Sequence, residues 1–120
     1  MKIAVTAQGT ALESQVDPRF GRAKYFVVID TDSDDFEAVD NAQNLNAAQG
    51  AGIQAARNVA ELGVEAVLTG HCGPNAFRTL TAAGIKVFTG ASGSVKEAVE
   101  KFKSGELSEA SDADVTGHWV

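Results

Sequence analysis

The order of apolar segments predicts an α/β fold, a five-stranded mixed sheet with helices on both faces. Three observations carry this reading. First, three β-rich runs, Lys2–Ala7, Tyr25–Asp30 and Phe36–Asp40, follow one another with no helical segment between them. Second, two further apolar runs, residues 64–68 and 85–88, alternate with three segments of helical period. Third, a glycine follows each helical segment (Gly63, Gly84, Gly105), and glycine-rich turns precede two of them.

In chain order, residues 2–7 form a central strand, broken by Gln8-Gly9-Thr10. Residues 9–23 lack a clean period and read as a long loop, a length usually kept for function. The loop contains the turn starter Asp17-Pro18 and the basic run Arg19-Phe20-Gly21-Arg22, with Lys24 just beyond. After the second strand comes an acidic turn, residues 31–35. It lacks the glycine and terminal glutamate of a calcium loop and reads as a solvated hairpin turn. The third strand alternates and belongs at an edge. Residues 41–50 are a polar loop into a helix over 51–62, with Ile53, Ala56, Val59, Ala60 and Leu62 on one face. A second helix over 75–83 turns Phe77 and Leu80 inward. A third begins at a Ser94 N-cap and buries Val95, Ala98, Val99 and Phe102. Residues 1–107 form one domain, and residues 108–120, acidic and aperiodic up to His118-Trp119-Val120, read as a mobile tail.

Strands linked without helices make an antiparallel meander, and strands linked through helices run parallel by right-handed crossovers. The strand order 3-2-1-4-5 satisfies both rules, which is the ribonuclease-H-like three-layer α/β/α architecture. It sends the loops after strands one, three, four and five to one edge, together with the segment entering strand two. Ligands of open α/β sheets bind at that carboxyl edge. Arg19, Arg22, Lys24, His71, Cys72 and the turns at Gly70–Gly73 and Gly90–Gly93 are therefore expected to converge. Each also has a plainer reading. The arginines could pair with surface carboxylates, Phe20 could be core, the glycines could serve turn geometry alone, and Asn75 could cap its helix.

The stretch around the fourth strand is the most informative. Gly70-His71-Cys72-Gly73-Pro74-Asn75 places the sole cysteine of the chain beside one of its two histidines, at a strand-to-helix turn. Pro74 suits the first helical position, and the first-turn N–H groups of such a helix attract anions. Two readings stand: a metal or metal–sulfur ligand pair, or a small buried thiol beside a surface histidine.

Composition narrows the classes. The 120 residues carry a net charge of −6 with a pI near 4.7, which argues against nucleic acid as a partner. Hydrophobic residues make up 44% and charged residues 22%, the balance of an ordinary soluble domain. One cysteine gives no internal disulfide, the first apolar run is too short for a signal peptide, and no segment is long enough to cross a membrane. A cytoplasmic location is expected. A metal-dependent nuclease of this architecture commonly has a carboxylate on the first strand, and Lys2–Ala7 contains none. Neither glycine turn has the Lys-Ser/Thr of a phosphate P-loop. Structural zinc needs four protein ligands, more than one cysteine and two histidines supply. A ligand that brings its own inorganic sulfide needs fewer.

Three motifs resemble one known family. They are Arg19-Phe20-Gly21-Arg22-Ala23, Gly70-His71-Cys72-Gly73-Pro74-Asn75-Ala76, and Leu80 with Gly84-Ile85-Lys86-Val87. Over residues 1–107 the chain is similar to the dinitrogenase iron–molybdenum cofactor biosynthesis (NifX/NifB-like) family. The resemblance implies a non-enzymatic binding or carrier role, with a metal–sulfur cluster or its precursor as cargo. Small acidic members of the family include a noncovalent carrier of a molybdenum–copper–sulfide cluster, and this chain resembles them in length and layout. On that likeness Arg19, Phe20, Gly21, Arg22, Gly70, Gly73, Asn75, Gly90 and Ser92 are expected to hold the guest, thiomolybdate with copper or a related cluster. Cys72 and His71 are the candidate metal donors, since thiolate suits copper. His71-Cys72 stands where relatives often carry apolar or amide residues. A MinD/Mrp-like ATPase is the partner the family implies, and a regulatory module acting through it without cargo is the alternative function.

Overall fold

Alternation along the strands decides which face each residue covers. In the computed structural model, which describes residues 1–41 and 51–111, the elements are β1 (Lys2–Ala7), β2 (Tyr25–Asp30), β3 (Phe36–Asp40), α1 (Ala51–Glu61), β4 (Ala66–Leu68), α2 (Pro74–Ala82), β5 (Lys86–Phe88) and α3 (Val95–Lys103). They form one five-stranded sheet in the order β3-β2-β1-β4-β5. β1 pairs antiparallel with β2 and parallel with β4, β2 pairs antiparallel with β3, and β4 pairs parallel with β5. The expected ribonuclease-H-like arrangement is therefore the one observed.

Ala4, Phe26, Val28, Val67 and Val87 pack under α1 and α2, against Ala55, Ala56, Val59, Ala76 and Leu80. Ile3, Val5, Val27, Ile29, Ala66 and Leu68 take the opposite face, beneath Val95, Ala98 and Val99 of α3. Each fully buried aliphatic side chain contributes roughly 1.5–3 kcal/mol of transfer free energy. In α1 the central positions are Ala55, Ala56 and Val59, whereas Ile53 and Ala60 are only half-buried. β3 is the expected edge strand, and Phe36 at its start is 45% exposed.

Five boundaries and one attachment differ from expectation. β4 and β5 start later, at Ala66 and Lys86, because Gly63 and Gly84 turn with positive φ and the residues just after them are still entering the ladder. α1 ends at Glu61, and α2 starts at Pro74, which supplies the first helical φ, and ends at Ala82 with Ala83 as its C-cap. The segment read as a tail begins with an attachment. Glu109 bridges Phe88 in antiparallel fashion, and the Ala110 N–H donates to the Val87 carbonyl at 2.7 Å. An open strand edge offers unpaired backbone groups, and these residues take them. Residues 42–50, expected as part of a loop, and residues 112–120, expected as tail and including His118 and Trp119, lie outside the described residues. Among the described residues no helix is long and apolar enough to cross a membrane.

Candidate functional site

The carboxyl edge is assembled by backbone hydrogen bonds between loops that are distant in sequence. The turn at residues 17–20 lies alongside the turn after β4. The His71 N–H donates to the Pro18 carbonyl at 2.7 Å, and the Phe20 N–H donates to the His71 carbonyl at 3.2 Å. Gly70 makes this approach possible: a Cβ there would stand 2.7 Å from the Pro18 oxygen and 2.8 Å from its Cα. Beneath the contact, the Thr6 hydroxyl lies 2.7 Å from the Asp17 carbonyl oxygen and 2.9 Å from the Thr69 hydroxyl, all buried. The Gly90 N–H donates to the Gly70 carbonyl at 3.0 Å, bringing in the turn after β5. Further along the edge, Val16 donates to Gly93, and Val95 donates to Ser14. The Asn41 amide donates to the Ala23 carbonyl at 2.8 Å and fixes the end of the basic segment. The convergence expected from topology is thus a stitched rim.

Arg19, Arg22 and Lys24 line one open cleft on this rim with Gln8, Asp17 and Pro18. Three cations in one depression favour an anionic occupant. Asp17 is the carboxylate of that lining and is only 7% exposed. Burial pushes its carboxyl above the ordinary value, against the opposing pull of hydrogen bonds and charge from Arg19 and Lys24. The sequence marks Asp17 as a turn residue but does not reveal its place in the cleft. The Asp-Pro-Arg spacing, which suits a side-chain bond to the second residue on, is the signal that could have found it.

The two helix starts on the rim differ. Gly73 is the N-cap of α2, and no side chain caps that helix. Asn75 does not cap it; its Oδ1 accepts a bond from Arg78 at 2.6 Å. α3 is closed by a capping box: Glu97 N–H donates to the Ser94 hydroxyl at 3.1 Å, and Ser94 N–H donates to the Glu97 carboxylate at 3.0 Å. These bonds hold the Glu97 carboxyl below its ordinary value. Of the other expected site residues on this turn, Gly90 has a positive φ of 81° and Ser92 is exposed.

The remaining expected residues divide between core and surface. Phe20 is 1% exposed and packs on Phe26 with ring centroids 5.5 Å apart, so it is a core residue and not a platform for a ligand. Its inward course follows from the loop contact, which pins its backbone against His71. Gly21 is buried behind it. His71 is exposed. Cys72 is 1% exposed within the apolar layer under α2, its Sγ 3.8 Å from the Gly73 carbonyl. Adjacent residues point apart here, as the sequence leads one to expect. Among the described residues no group of three or more His, Cys, Asp or Glu side chains could hold a metal ion.

The fold and rim define a small α/β domain whose carboxyl edge carries a basic cleft. The chain belongs to the dinitrogenase iron–molybdenum cofactor family, whose model matches residues 1–105. It is similar to the orange protein from Desulfovibrio gigas, known in its apo form, with 44% identity over 95% of this chain and 96% of that one and a TM-score of 0.93. A Thermotoga protein proposed to be NifB is 39% identical over 90% of this chain and 91% of its own, with a TM-score of 0.79. An uncharacterised protein of Methanocaldococcus jannaschii is 28% identical over 109 residues, 89% of each chain.

Proposed function

We propose that this protein binds an anionic metal–sulfur cluster noncovalently and carries it without turnover. The cargo of this reading is a molybdenum–copper–sulfide cluster or a thiomolybdate–copper precursor. The observation that carries it is the cleft of Arg19, Arg22 and Lys24, fixed by backbone bonds beside the uncapped start of α2. Guanidinium groups and a helix start both favour spread negative charge. A cluster whose metals are already saturated by sulfide asks the protein for charge and N–H donors, not for a ligand set. That fits a rim with no metal-holding group of His, Cys, Asp or Glu among the described residues. Membership of the family and the likeness to the orange protein support the same reading.

In this reading Arg19, Arg22 and the N–H groups after Gly73 hold the guest, and exposed His71 stands at its border. Cys72 packs beneath the loop. Its burial separates it from a guest in the cleft unless the layer under α2 opens.

The test is uptake of tetrathiomolybdate with copper(I) by the apo protein, read as visible absorption that travels with the protein on gel filtration. Arg22→Ala is expected to weaken uptake by about tenfold, the loss of one charge-assisted contact. Cys72→Ser is expected to retain uptake. Unchanged uptake in both Arg19→Ala and Arg22→Ala would remove the cleft from the site. Loss of uptake in Cys72→Ser alone, with folding intact, would restore the thiol as a direct donor.

A further inference from the structure

We infer that Thr6 is the positioning residue of the basic cleft: its hydroxyl, backed by that of Thr69, fixes the turn at Asp17-Pro18 that leads into Arg19 and Arg22. Strand register brings the two threonines together. β1 and β4 run parallel with Val5 opposite Leu68, so one step further Thr6 falls opposite Thr69. Both are fully buried, on the sheet face otherwise filled by Ala4, Val67, Cys72 and Ala76. Buried hydroxyls need internal partners, and here the bonds have one consistent direction. The Asp17 carbonyl can only accept, so the single Thr6 hydroxyl proton goes to it, at 2.7 Å. That proton cannot also serve the 2.9 Å contact between the two hydroxyls, so Thr69 supplies the proton there. The result is a chain of donors from Thr69 through Thr6 to the Asp17 carbonyl.

Valine would fill either position without a polar atom to satisfy. What the hydroxyls add is a hold on a loop distant in sequence. No backbone N–H among the described residues donates to the Asp17 carbonyl, and the Thr6 hydroxyl satisfies it. The Asp17 N–H donates to the Thr6 carbonyl at 2.9 Å, so both backbone groups of Asp17 are tied to one residue of the central strand. Pro18 is held from the β4 side, where its carbonyl accepts from the His71 N–H. Thr69 in turn is fixed by its own backbone: its N–H donates to the Phe88 carbonyl at 3.0 Å, and its carbonyl accepts from the Ala91 N–H at 3.1 Å. Asp17 and Pro18 line the cleft with Arg19 and Arg22, so the start of the basic segment is referred to the centre of the sheet through Thr6. The placement of the turn stands without a guest, and its consequence for uptake rests on the carrier reading.

Two measurements test it. In the apo protein, Thr6→Val is expected to shift the backbone amide signals of Arg19 and Arg22, and Thr6→Ser, which keeps the hydroxyl, is expected to leave them near their wild-type positions. Unmoved signals in Thr6→Val would overturn the assignment. In the uptake assay with tetrathiomolybdate and copper(I), Thr6→Val is expected to bind about tenfold more weakly, because a buried bond that places the loop is gone and its carbonyl is left unsatisfied. Thr6→Ser should stay within about twofold of the wild type, losing only a methyl group. Thr69→Val should lose about threefold, because Thr6 keeps its bond to Asp17. Wild-type uptake by Thr6→Val, or a loss in Thr6→Ser as large as in Thr6→Val, would overturn the proposal. Should Thr6→Val fail to fold, Thr69→Val decides: unchanged amide signals and unchanged uptake would overturn it. No uptake by the wild type would instead overturn the carrier reading, and the amide comparison would then decide the role of Thr6.

Discussion

The turns leading into α2 and α3 look alike in sequence and differ in chemistry. Both follow a short parallel strand, both are glycine-rich, and both open a nine-residue helix on the same edge. At α3 the chain supplies its own anion, because Glu97 folds back onto the Ser94 N–H and closes the helix start. Gly93 leaves room for it: a Cβ there would lie 3.0 Å from the Glu97 carboxylate. At α2 the cap is a glycine with no side chain, and the neighbouring loop pairs Arg19 with His71, two residues before that cap. A helix start that answers its own electrostatic need stabilises the fold. One that does not leaves its first turn without a side-chain cap.

The sharpest way to break this contrast is Gly70→Ala. The added methyl would meet the Pro18 backbone, which cannot swing aside as a side chain can. We expect about 2–3 kcal/mol of destabilisation in denaturant unfolding and loss of uptake, since the loop carrying Arg19 and Arg22 must detach. Next in size is Ser94→Ala, which removes half of the capping box. About 1 kcal/mol of stability should go, with uptake of tetrathiomolybdate and copper(I) unchanged. Reduced uptake in a folded Ser94→Ala protein would show that the two turns act together and would return Gly90 and Ser92 to the site.

The smallest expected effect is on the pH profile. Hydrogen bonds from Ser94 lower the Glu97 pKa, so its stabilisation is present above the unfolded carboxyl value and fades as pH falls through the lowered folded value. Asp17 has the opposite sign. Burial raises its pKa, so its contribution is full in acid and is lost as pH rises through the raised value. Thermal midpoints between about pH 3 and pH 7 should therefore fall less steeply on acidification in Ser94→Ala than in the wild type. An identical slope would mean that the Ser94 side chain contributes nothing measurable beyond the backbone N–H bond that the variant keeps.

Much of the rim was legible in the sequence. Period and breaker residues placed the five strands, and topology alone sent Arg19, Arg22 and His71 to one edge. Less legible were the individual roles. Phe20 sits in the middle of a basic run and nonetheless points into the core, because its backbone is clamped to His71. Asn75 reads as a cap, yet its side chain serves Arg78. In each case the deciding contact is one that the linear pattern of residue types does not specify.

Local chemistry therefore settled the elements, their order and the edge on which the loops meet, because periodicity, glycine positions and crossover handedness act over short stretches of chain. The tertiary structure decided which of the similar turns is closed by a side chain and how the loops of the rim are stitched together. Those outcomes depend on atoms brought within about 3 Å from segments tens of residues apart. Thr6 beneath Asp17, and Pro18 against Gly70, are contacts that only the folded chain creates.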